Sequence, residues 1–136
     1  MTSLENVNGT DRDVNGPGWR SRRLLLAADG VGYSLHDTVM EAGTETYMHY
    51  AHHVEAVYCI SGQAELINEE TKEVHQLGPG TLYVLDRHDP HTFRALTEVR
   101  NVCVFTPALT GQETHDASGA YPSADDMASM SNPAAQ

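Results

Sequence analysis

The chain has 136 residues, with 8 Lys and Arg against 19 Asp and Glu and a formal net charge of -11. That length suits one domain that buries roughly two-thirds of its unfolded surface, and the acidity repels phosphate backbones and anionic bilayers. Nucleic acid and membranes are therefore not expected partners. Cys59 and Cys103 each lie in an apolar run without a metal-type spacing and read as reduced core thiols. The polar start, with no apolar signal segment, predicts a cytoplasmic protein.

In chain order, residues 1–9 are polar, lack a sustained hydrophobic period, and read as a mobile lead-in to a domain over 10–122. Within that domain, short apolar runs alternate with turn signals: 23–27 before Asp29-Gly30, 33–40 before Ala42-Gly43, and 55–60 before Ser61-Gly62. They continue with 64–67 before Gly78-Pro79-Gly80, then 81–85, then 99–105 closed by Pro107. This punctuation predicts an all-β sandwich or barrel with little helix. Residues 123–136, rich in Ala, Ser, Asp and Pro, read as a disordered tail.

Side chains two apart on a strand share a face. Glu55, Val57 and Cys59 therefore point one way, as do Thr81, Tyr83 and Leu85, then Asn101, Cys103 and Phe105, then His36, Thr38 and Met40. Each set mixes polar with core residues. If these faces turn inward, the barrel holds a polar-studded cavity.

Gly43-x5-His49-x5-Glu55-x6-Gly62 resembles the first cupin motif, with Ala51 where that motif carries a second histidine. Gly80 and His91 match the outer spacing of the second motif, although Asp86, His88 and Ala95 replace its Pro, Gly and Asn. The resemblance implies a single-domain, jelly-roll-like cupin barrel whose motif side chains converge on one divalent transition metal. With position 51 lost as a ligand, Glu55 and His91 need a partner, and inward-facing Tyr83 is the leading choice. His49, His52 and His53 crowd the same loop, and His49 and His53 stay open as reserve ligands.

Longer strings narrow the resemblance. Thr10 to Val14, Trp19 with Ser21 to Leu26, Ala42 to Thr46, His53 to Ile60, Pro79 to Tyr83, Val102 to Phe105, and Leu109 to Gly111 with Glu113 and His115 resemble the ectoine synthase family of cupins. The resemblance implies a hydro-lyase that cyclises N-γ-acetyl-L-2,4-diaminobutyrate, with loss of water, to the compatible solute ectoine. It implies Fe(II), with Zn(II) an alternative, at Glu55, Tyr83 and His91, acting as a Lewis acid on the acetamide carbonyl. It also implies a small-molecule substrate held by Trp19, Arg23, Thr38 and Phe105, and a homodimer. Tyr50, Glu113 and His115 are the acid-base candidates. Two rivals remain open on the residues alone. A cupin oxygenase or isomerase would be favoured if His49 and His53 both bind metal, and a non-catalytic binding cupin would show no turnover.

Overall fold

The computed structural model describes residues 1–112. Residues 10–112 carry ten strands: β1 (Asp13–Gly16), β2 (Trp19–Leu25), β3 (Ser34–Met40), β4 (Glu45–Met48) and β5 (Val54–Ser61), then β6 (Ala64–Asn68), β7 (Val74–Leu77), β8 (Leu82–Leu85), β9 (His91–Ala95) and β10 (Val99–Thr106). Helix is confined to one turn, α1 (Leu4–Val7), and a 3-10 turn over Ala27–Asp29. Where composition predicts a mobile lead-in, Ser3 caps α1 through its side chain and Val7 is buried.

The strands form two antiparallel sheets, one of six strands in the order β1-β2-β3-β10-β5-β8 and one of four in the order β4-β9-β6-β7. Strands that are neighbours in space but distant in sequence, such as β3 beside β10, are what a jelly-roll arrangement requires. The core fills the space between the sheets: Val57 and Cys59 of β5, Val99, Cys103 and Phe105 of β10, and Leu85 of β8 meet Met48, Leu66, Phe93 and Ala95 from the smaller sheet. Alternation produces this directly. On β10 the odd-numbered residues 99 to 105 are all buried and the even-numbered ones are more exposed.

The motif glycines Gly43, Gly62 and Gly80 all adopt positive φ, between 86° and 93°, a region that side chains with a Cβ avoid. At Gly62 space is lacking as well, since a Cβ there would lie 2.1 Å from the Glu98 carbonyl oxygen. His88, standing where the motif has glycine, keeps the glycine conformation with φ 61°. Its Nδ1 is hydrogen-bonded to the backbone carbonyl of Tyr50, which ties the 86–90 loop to the end of β4.

Candidate active site

The inward faces of β2, β3, β5, β8 and β10 enclose a cavity of about 370 Å³, large enough for a small metabolite. Trp19, Arg23, Thr38 and Phe105 line it, as do Tyr50, Glu55 and Tyr83. Seven positions singled out from sequence, spread over almost ninety residues, thus share one chamber. The register explains how. Val57 on β5 faces Tyr83 on β8 and Cys103 on β10, and Cys103 faces His36 on β3, which faces Arg23 on β2.

Glu55 sits at the polar centre. It is buried, and its carboxyl accepts hydrogen bonds from the Tyr50 hydroxyl and the Cys103 thiol. Its Oε1 has no partner among the described residues. Burial dominates over both hydrogen bonds and pushes the carboxyl up to about 8 from its ordinary 4.5. Burial, reinforced by the Glu55 charge, likewise pushes the Tyr83 phenol well above its usual range. The Cys103 thiol is also pushed up by burial first and then by Glu55, which makes it a hydrogen-bond donor rather than a thiolate nucleophile.

Phe105 organises the aromatic wall. Tyr50 meets it edge-on with ring centroids 5.4 Å apart, His36 lies tilted at 5.4 Å, and His53 stands edge-on at 6.2 Å. At the opposite wall the Trp19 indole covers Gly16, its partner across the β1–β2 hairpin, where a Cβ would sit only 2.2 Å from the ring. Gly16 is therefore what lets Trp19 lie flat as a wall. Arg23 is buried, and one of its guanidinium nitrogens, Nη1, donates to the Gly111 carbonyl at 2.6 Å, pinning the segment after β10 beside the cavity.

The remaining sequence candidates fall elsewhere. His91 is partly buried and does not line the cavity, although it shares the inward face of β9 with Phe93 and stands opposite Met48. Its Nδ1 lies 2.9 Å from the Asp89 carbonyl oxygen, an acceptor only, so Nδ1 carries the proton and Nε2 keeps its lone pair. His49 and His53 do not line the cavity either. Glu113 and His115 lie outside the described residues. Among the described residues, no group of three His, Cys, Asp or Glu side chains could hold a metal. His36, Ser21 and Asn101 also line the cavity without having been singled out for a role. Alternation puts His36 and Asn101 on the faces that turn inward here, but it does not say what either side chain does.

Comparison with known proteins follows the same lines. The family model described as ectoine synthase matches residues 1–125. The L-ectoine synthase of Thermobifida fusca (strain YX) is 57% identical over 122 residues, covering 90% of this chain and 91% of its own. The crystal structure of ectoine synthase from P. lautus superposes with a TM-score of 0.81 at 45% identity, over 93% of this chain and 94% of that one. The cupin domain of Schizosaccharomyces pombe Cnp3 superposes with a TM-score of 0.57 at 14% identity, over 69% of each chain, and shares the fold alone.

Proposed function

The chain belongs to the ectoine synthase family of cupins, and from that premise we propose that its cavity cyclises N-γ-acetyl-L-2,4-diaminobutyrate with the help of a divalent metal. It is a hydro-lyase by that membership. The observation that carries the mechanistic reading is the gathering of Glu55, Tyr50 and Tyr83 in one chamber with Trp19, Arg23, Thr38 and Phe105.

Ring closure forms a bond between the substrate's α-nitrogen and its acetamide carbon, and the carbonyl oxygen leaves with two protons as water. Arg23 takes the carboxylate, for which its planar fork of donors is suited. Thr38, whose Oγ1 lies 3.9 Å from the Cys103 thiol, offers a hydroxyl to the polar part of the chain. Trp19 and Phe105 exclude water and press the flexible substrate into a folded form in which amine and carbonyl meet. Such positioning is worth up to about 7 to 11 kcal/mol in ideal cases. Tyr50, hydrogen-bonded to Glu55, moves a proton at its hydroxyl, and Glu113 and His115, which come next in sequence after the cavity-lining Gly111 and Gln112, are assigned to the same acid-base set.

The donor chemistry fits a metal. Glu55 holds a buried carboxylate oxygen without a partner, Tyr83 a phenol on the same cavity wall, and His91 a nitrogen whose lone pair the Asp89 contact leaves available. Carboxylate, phenolate and imidazole suit Fe(II), with Zn(II) an alternative. Bound there, such an ion supplies Lewis-acid polarisation of the acetamide carbonyl, a contribution of several kcal/mol. The test is an anaerobic assay of Fe(II)-supplied protein with the acetylated substrate against a chelator-treated control. Ectoine formation lost on chelation supports the whole reading; ectoine formation indifferent to chelation removes the metal from it, and none in either sample removes the reaction.

The family also suggests a cytoplasmic homodimer. Among the described residues no helix is long and apolar enough to cross a membrane.

A further inference from the structure

One buried polar group in the cavity has no part in this scheme. His36 is 4% exposed and lines the cavity, and its Nε2 has no hydrogen-bond partner among the described residues. The ring is held from several sides: Phe105 packs against it with the two rings tilted, Ser21 Oγ lies 3.5 Å from Nδ1, and Arg23 and Cys103 are its cross-strand neighbours. A buried nitrogen left unpaired costs free energy that a ligand can relieve. Arg23, assigned above to the substrate's carboxylate, is adjacent. In an α-amino acid the nitrogen lies two bonds from the carboxylate carbon, and cross-strand neighbours stand about 5 Å apart. Arg23 and His36 line the same cavity and the Arg23 charge is felt at the imidazole, so a carboxylate held by Arg23 brings the α-nitrogen within reach of position 36.

We propose that His36 positions the attacking nitrogen of the substrate by accepting one of its N–H groups at Nε2. The tautomer follows, because an accepting Nε2 puts the ring proton on Nδ1, where Ser21 Oγ is placed to receive it. Burial first, and the Arg23 charge second, push the imidazole down to about 3, so the ring stays neutral. His36 thus orients the amine and does not retain the proton released on ring closure. A nitrogen whose lone pair must point at the acetamide carbon gains most from an acceptor that fixes its N–H on the other side.

The inference rests on the cyclisation reading and on Arg23 as the carboxylate clamp, and the test separates the three. The metal-supplied wild type, H36L, H36Q and R23Q are compared for kcat/KM with the acetylated substrate and for inhibition by 4-acetamidobutanoate, which keeps the carboxylate and acetamide but lacks the α-nitrogen. H36L is expected to lose about 10- to 100-fold in kcat/KM, the range for a lost hydrogen bond to a charged or strongly polar group. H36Q, which places an amide oxygen near Nε2, recovers most of that loss, and the inhibition constant of the analogue changes less than about twofold in H36L. Equal weakening of substrate and analogue in H36L, or an unchanged kcat/KM, overturns the proposal. Should H36L not fold, H36M fills the same space and is read in the same way. Inhibition by the analogue that is absent in wild type, or unaffected in R23Q, removes the Arg23 clamp and the proposal with it. A wild type that forms no ectoine removes the reaction.

Discussion

Glu55 has a charge that the folded barrel does not accommodate by itself. Its carboxyl is raised to about 8 by burial, against an ordinary 4.5, so the folded protein holds this proton more tightly than the unfolded chain. Stability from the protonated form is then fully present below the ordinary value and declines as pH rises toward about 8. Glu55→Gln keeps the shape and removes the ionisation. In chelator-treated protein the variant is expected to melt above wild type at pH 8 and level with it at pH 4.5, with no activity at either. Supplying Fe(II) should raise the Tm of wild type and leave the variant where it was, as binding linkage requires. A chelated wild type that is as stable as the variant at pH 8 would show that Glu55 already has a cationic partner. Trp19 makes a second case at this scale. It packs against the core from the cavity rim, so Trp19→Ala is expected to raise KM about tenfold while costing no more than the ~3 to 5 kcal/mol of a large aromatic deletion. Comparing urea midpoints with KM values separates the two effects.

β3 serves two faces at once. Its inward residues His36, Thr38 and Met40 line the cavity, while Asp37 on the other face is bound by Arg22 from β2 at 2.9 Å and Arg100 from β10 at 2.6 Å. Burial would raise the Asp37 carboxyl, but Arg100 and then Arg22 outweigh it and hold it below its ordinary 3.8. The ion pairs therefore stabilise the three strands at all pH values above about 3.8 and fail as pH falls through the lowered value. Asp37→Asn is expected to cost ~3 kcal/mol at pH 7, the low end for a broken buried pair because Arg100 is 42% exposed and screened. Urea unfolding should show that cost shrinking as pH falls below about 3.8, and a constant difference across pH would mean that shape rather than charge matters. The 86–90 loop offers a sign test. His88→Ala keeps the left-handed strain and loses the tie to Tyr50, so it should destabilise by about 1 to 2 kcal/mol, whereas His88→Gly loses the tie and the strain together and should be near neutral. At this scale the sequence is most legible where a longer apolar-rich run is bounded by turn residues, as in β3, β5 and β10. β1, β4, β7 and β9 fall outside those runs because DVNG, ETYM, VHQL and HTFRA are short and carry few apolar residues to count. The cavity was legible through parity and family strings together, since parity alone gives faces but not which polar residue on a face acts. His36 shows the limit: its direction was readable, but its unpaired nitrogen depends on what four other strands leave around it.

The whole molecule is strongly acidic, so copies of it repel one another and any stable self-contact must form where acid is absent. Such a face exists on the larger sheet. Tyr58 and Ile60 of β5 and Leu82 and Val84 of β8 point away from the cavity with 40 to 60% exposure, continuous with the outward Val102 and Val104 of β10. No Asp or Glu stands at these outward positions, and β8 is the edge of its sheet, with backbone groups open to a further strand. An isologous contact across this face would meet the roughly 800 Å² per partner of a standard interface only if most of these side chains take part. The proposed homodimer is placed here for that reason. Leu82→Asp, which sets two like charges against each other across a two-fold axis, is expected to shift the species in sedimentation equilibrium from twice 14.9 kDa to 14.9 kDa. Because Leu82 faces outward, the monomer should retain its cavity and bind 4-acetamidobutanoate as the dimer does. A wild type that sediments as a monomer removes the dimer. A Leu82→Asp variant that stays dimeric moves the contact to another face, and loss of analogue binding on dissociation would make the second copy part of the site.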